Sequence, residues 1–101
     1  MKKKFKLTHP TIKPARLIEA VRRDVKKYLK REKRKSLPSG VDYWDFDCKF
    51  GPTEVKAEVI LASEISKCIS EAEAQNLESF YLEILAKPGY KNPKKIITID
   101  T

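Results

Sequence analysis

Between Pro14 and Lys35, apolar residues recur at Leu17, Ile18, Val21, Val25, Tyr28 and Leu29, the spacing of one helix face. Pro14 suits the first helical position, where its missing N–H leaves nothing unbonded. Leu37-Pro38-Ser39-Gly40 ends the run. At 1.5 Å per residue, a helix from Pro14 to Lys35 is a rod of roughly 33 Å. That is longer than most sheets are tall, so its last turn or two are expected to overhang into water. A helix with a single apolar stripe has to bury it, and the rest of the chain offers alternating runs that can form a sheet.

Lys3 to Thr8 alternates polar and apolar, with Phe5 and Leu7 on one side, and predicts a short strand before His9-Pro10. After the helix, Trp44, Phe46, Cys48 and Phe50 fall on one face while Tyr43, Asp45, Asp47 and Lys49 fall on the other. Beyond Gly51-Pro52-Thr53, Val55, Ala57, Val59 and Leu61 alternate in the same way. A hairpin pairing Phe50 with Val55, Cys48 with Ala57, Phe46 with Val59 and Trp44 with Leu61 puts every apolar residue on one side. A one-residue slip scatters them. Ser63 is placed to cap a second helix, whose Ile65, Cys68, Ile69 and Ala72 share a face and which fades near Asn76. Phe80, Leu82, Ile84 and Ala86 then mark a fourth strand, ended by Pro88-Gly89.

The order strand, helix, strand, strand, helix, strand defines an α+β chain. It predicts a ferredoxin-like βαββαβ arrangement, an antiparallel four-stranded sheet with two helices on one face. Residues 1–89 form this domain and 90–101 a C-terminal tail, flexible or adding an edge strand through Ile96-Ile97-Thr98-Ile99. The length allows one domain with one core. No apolar run approaches the roughly 20 residues that span a bilayer, and the basic start has no apolar stretch behind it, so neither a membrane anchor nor a signal peptide is expected. Two cysteines without a secretory signal argue against a disulfide framework. The expected location is the cytoplasm.

The net charge of +8 is concentrated. From Lys13 to Lys35 eleven Lys or Arg face only Glu19, Asp24 and Glu32, so this stretch carries the entire excess. General basicity serves solubility, whereas concentrated basicity makes a binding face.

Several stretches carry a resemblance together. They are Phe5-Lys6-Leu7-Thr8-His9-Pro10, Ile12-Lys13-Pro14-Ala15-Arg16-Leu17, Trp44-Asp45-Phe46-Asp47-Cys48-Lys49-Phe50-Gly51 and Glu71-Ala72-Glu73-Ala74-Gln75, followed by Leu77-Glu78-Ser79-Phe80-Tyr81 and Leu85-Ala86-Lys87-Pro88-Gly89. In this order the chain resembles an uncharacterised family of small bacterial proteins, a domain of unknown function. The resemblance covers most of the chain up to Gly89. It implies a bacterial cytoplasmic protein and brings no activity or site residue with it.

On the long helix, Arg16, Arg23, Lys27, Lys30 and Arg34 fall opposite the apolar stripe, with Lys26 and Arg31 beside them. Such a row can follow a phosphate backbone, where each neutralised phosphate releases counterions. The plain alternative is a solvated outer face, and an anionic protein is another partner. Base stacking on the sheet fits poorly, because the first and third strands lack outward aromatics. The expected register sets Asp47 opposite Glu58 with Asp45 nearby. Lysines of the first strand, Lys4 or Lys6, are expected to offset these acids, the alternative being Mg²⁺. His9, the only histidine, precedes the long helix and either shapes a turn or joins a small anion site. Cys48 and Cys68 point inward as small apolar residues, and three glycines build no phosphate loop. The leading expectation is a non-enzymatic module presenting the basic helix to RNA or a ribonucleoprotein, with no cofactor. The alternatives are a ligand- or metal-binding domain or enzyme using the sheet carboxylates or the His9 turn, and a protein–protein adaptor. Monomer and homodimer both stay open.

Overall fold

A computed structural model describes residues 1–91. Residues 92–101, with the Ile96–Ile99 run, lie outside the described residues. The elements follow as β1 (Lys2–Lys6), α1 (Pro14–Lys33), β2 (Tyr43–Gly51), β3 (Glu58–Ile60), a 3₁₀ turn (Ala62–Glu64), α2 (Ile65–Ala74) and β4 (Ser79–Gly89). The result is the expected α+β chain, with a four-stranded antiparallel sheet and two helices. Both helices contribute to one core with the same face of the sheet. Ile18, Val21 and Val25 of α1 and Ile65, Ile69 and Ala72 of α2 cluster with Phe5, Phe46, Cys48, Phe80, Leu82 and Ile84. The Phe80 ring lies 5.4 Å from Phe5 and 5.0 Å from Phe50, so aromatic packing ties three strands together.

The strand order is β1-β4-β2-β3. A ferredoxin-like sheet would put the first and third strands at the centre, whereas here β4 and β2 are central. The composition of the strands explains the choice. β1 reads Lys-Lys-Lys-Phe-Lys and has one buried side chain, so it belongs at an edge, where lysines also discourage pairing with other chains. In β4, Phe80, Leu82 and Ile84 are fully buried on the core face, which suits a central strand with neighbours on both sides. β4 pairs with β2 from Tyr43↔Gly89 to Gly51↔Tyr81 and with β1 from Lys2↔Glu83 to Lys6↔Ser79.

The β2–β3 hairpin also departs from expectation. Cys48 pairs with Ile60, Lys49 with Val59 and Phe50 with Glu58, a shift of three residues from the register that alternation favours. An odd shift turns β3 over. Val55, Val59 and Leu61, expected in the core, are 94%, 79% and 67% exposed. In this register Ile60, opposite Cys48, is the β3 side chain that packs against the core, while β4 covers the other edge of β2. The connection is accordingly longer, with turn bonds from Ala57 N–H to Glu54 O and from Lys56 N–H to Thr53 Oγ1. Gly51 allows this loop to return, because a Cβ there would stand 2.6 Å from the Ala57 Cα.

The long helix does not overhang. Glu32 of its last turn is buried, 2.8 Å from the Lys35 ammonium, and just past the helix end the Trp44 indole N–H donates to Lys35 O at 2.9 Å. α2 begins one residue later than a Ser63 cap implies. Glu64 Oε1 instead accepts the Leu61 N–H at 2.8 Å, and the 3₁₀ turn leads into the helix. It ends where Asn76 takes a left-handed φ of 56°, with Leu77 N–H bonded to Ala72 O and Asn76 N–H to Glu73 O, a Schellman closure.

Candidate functional site

All seven helix cations singled out by the sequence (Arg16, Arg23, Lys26, Lys27, Lys30, Arg31 and Arg34) are exposed. Arg34 stands at the C-cap of α1 and the others along it. The buried residues Ile18, Val21, Val25 and Glu32 define the inward side, so Arg16, Arg23, Lys27, Lys30 and Arg34 run down the opposite side. Lys26 lies on the α2 flank, bordering the groove that Val25 and Leu29 share with Ile65 and Ile69. Arg31 lies on the β1 flank, its guanidinium carbon 5.5 Å from the centre of the Tyr28 ring. Among the described residues the ion pairs are Glu32–Lys35 and Asp47–Lys87, and neither involves any of the seven.

The helix dipole accounts for part of this charge. Lys30, Arg31 and Lys33 occupy the last turn, where carbonyls point outward and cations are favoured. The first turn is the opposite case. It has no acid and no side-chain cap, yet Lys13 and Arg16 stand there against the dipole.

Arg22 behaves differently, and the sequence does not distinguish it from its neighbours. Its guanidinium donates to Ser66 Oγ and Ser70 Oγ, each at 2.6 Å, and so clamps α1 to α2. A second unread feature is the position of β1. Lys3 and Phe5 border one cleft with Asp24, Lys27, Tyr28 and Arg31, so one lysine distant in sequence extends the basic surface of the helix.

The outer face of the sheet carries charges of both signs instead. Lys87, on β4, donates to Asp47 Oδ1 at 2.6 Å and stands opposite Asp45. The Asp47 carboxylate holds the Lys87 ammonium above its ordinary pKa through that hydrogen bond. Asp47 therefore faces Leu85, and Glu58 faces Phe50, so the two acids expected to confront each other do not. The counterion comes from β4 rather than from Lys4 or Lys6, because β4 is the strand beside β2. Glu83 lies between Lys2 and Lys49, and its Oε1 accepts the Tyr81 hydroxyl at 2.8 Å. Burial and that acceptor push the Tyr81 phenol up to about 12. Among the described residues no group of three or more His, Cys, Asp or Glu is placed to hold a metal ion.

His9 closes the turn before α1. Its Nδ1 accepts the backbone N–H of Thr11 at 3.1 Å and of Ile12 at 3.2 Å. Cys48 is buried, its thiol pushed up to about 11 by burial, whereas Cys68 is half-buried with its thiol raised by the same cause. Among the described residues no helix is long and apolar enough to cross a membrane.

The profile of a family of unknown function, DUF6172, matches residues 1–95. The chain is a member of DUF6172. Comparison with curated proteins and with solved structures finds no match. In this member of DUF6172, α1 carries cations from end to end with none in an ion pair among the described residues, beside a sheet face on which Lys87 is paired with Asp47.

Proposed function

We propose that this DUF6172 protein is a non-enzymatic nucleic-acid-binding module that lays the outer face of α1 along a phosphate backbone, in RNA or a ribonucleoprotein. One observation carries the reading. The cations continue through the first turn of α1, where the dipole opposes them, and none is in an ion pair among the described residues. Like charges at three- and four-residue spacing repel, and beyond Glu19, which stands between Arg16 and Arg23, the spacing of Arg23, Lys27, Lys30 and Arg34 sets cation against cation. A bound polyanion removes that repulsion and gains counterion release. From Arg16 to Arg34 the row extends roughly 27 Å at 1.5 Å per residue, enough to meet several phosphates.

The test is a salt titration of binding to a fluorescent RNA oligonucleotide. Affinity should fall linearly in log–log form with a slope of about −3 to −5, as for four to six neutralised single-strand phosphates. Replacing Arg23, Lys27 and Lys30 together by Glu should abolish binding and leave the circular dichroism spectrum intact, since all three are exposed. Neutralising Lys56 and Lys67, which lie off this face, should change affinity little. Full binding by the triple variant would remove α1 from the mechanism.

A further inference from the structure

The cleft between α1 and β1 has a composition that a backbone track alone does not require. It is an open surface cleft of about 480 Å³. Its walls carry Lys3 and Lys27, and the half-buried Tyr28 supplies aromatic surface beside the buried Phe5. Lys3 Nζ lies 5.0 Å from the Phe5 ring centre, and the Arg31 guanidinium lies over the Tyr28 ring. A guanidinium plane backed by a ring is a surface on which a nucleobase stacks. Asp24 is the exception among these groups. It borders the same cleft, is exposed, and has no ion-pair partner among the described residues. A carboxylate repels phosphate, so on a pure backbone track it opposes binding. It does, however, accept hydrogen bonds from the exocyclic amino group of a base.

We infer that the α1–β1 cleft takes an unstacked base of single-stranded nucleic acid, stacked on Arg31 and read by Asp24 through an exocyclic amino group. The inference rests on the helix reading above and adds two properties to it: discrimination against duplex, whose bases are already stacked, and against uracil, which has no exocyclic amino group. Lys27 belongs to both parts of the surface, since it faces the cleft and stands in the outer row. A strand crossing α1 can thus place its phosphates on the row and one base in the cleft.

The experiment compares oligo(C), oligo(A), oligo(U) and a blunt RNA duplex by fluorescence anisotropy at one low salt concentration. Wild-type protein should bind oligo(C) and oligo(A) roughly tenfold more tightly than oligo(U), and the duplex more weakly than oligo(C) or oligo(A). Asp24→Asn removes the repulsion and offers both a donor and an acceptor, so it should tighten oligo(U) most and level the series. Arg31→Lys keeps the charge and loses the plane. It should reduce the preference for single strands while leaving the salt slope unchanged. Equal binding of duplex and single strands, or an Asp24→Asn effect equal for all bases, overturns the cleft. If binding is then still lost in the Arg23/Lys27/Lys30 triple reversal, the backbone reading stands without it. Wild-type protein that binds none of the four probes overturns both.

Discussion

The outer face of α1 and the outer face of the sheet are both rich in charge, but they solve the problem differently. On the outer face of the sheet, acids and lysines alternate: Lys87 is bonded to Asp47 and stands opposite Asp45, and Glu83 lies between Lys2 and Lys49. On the helix, Arg23, Lys27, Lys30, Arg31 and Arg34 repeat one sign at three- and four-residue spacing. Only Asp24 interrupts them on the β1 flank. A matched surface is complete in the free protein, whereas an unmatched one costs stability until an anion covers it. The difference separates a structural face from a candidate binding face more clearly than the total charge does.

The comparison assumes a core between the two faces, and removing part of that core should give the largest effect. Phe80→Ala should destabilise by about 3–5 kcal/mol in a denaturant melt, because Phe80 is fully buried and packs on Phe5 and Phe50. Asp45→Ala, facing away from the core, should cost under about 1 kcal/mol. The reverse order would mean that the sheet faces had been exchanged.

The next effect is specific to α1. Lys27→Glu exchanges repulsion from Arg23, Lys30 and Arg31 for attraction, at the loss of Asp24. It should stabilise the free protein by about 0.5–1 kcal/mol at low salt. The gain should disappear in 1 M salt, where the Debye length is about 3 Å. A destabilised Lys27→Glu protein would show that the helix charges are matched after all.

On the sheet the sign should reverse. Lys87→Gln should lower Tm by a small amount, because Asp47 loses its donor. The raised pKa of Lys87 gives the same prediction in pH. Its contribution is complete below the ordinary lysine pKa of about 10.4 and is lost as pH rises through the higher folded value. Wild-type protein should therefore lose stability relative to Lys87→Gln on passing through that alkaline window, an interval in which the two melting curves should converge.

The smallest effect is chemical. With its thiol at about 11 and buried, Cys48 should resist alkylation at pH 8, while the half-buried Cys68 reacts first. Peptide mapping after a short iodoacetamide pulse distinguishes them. Prior labelling of Cys48 would place β2 outside the core.

Local chemistry alone determined much of this protein. The stripe from Leu17 to Leu29, Pro14 at the helix start, Asn76 at the end of α2 and the alternation in β2 and β4 each depend on a few neighbouring residues, so they are legible in one dimension. The outward row on α1 was legible for the same reason, because helical geometry converts spacing directly into direction. Strand order and hairpin register depend instead on which partners compete for a strand. Local alternation favoured Phe50 opposite Val55, but β4 supplies Phe80, Leu82 and Ile84 to the same core, and once β2 has that neighbour the register of β3 is free to shift by three residues. Competition of this kind is decided by burial summed over the whole sheet, and no window of sequence contains it. The same choice of order sends Lys87 rather than Lys4 or Lys6 to Asp47. By setting β1 at the edge, the assembled fold also brings Lys3 and Phe5 beside Asp24 and Arg31, a cleft that exists only once residues some twenty positions apart are packed together.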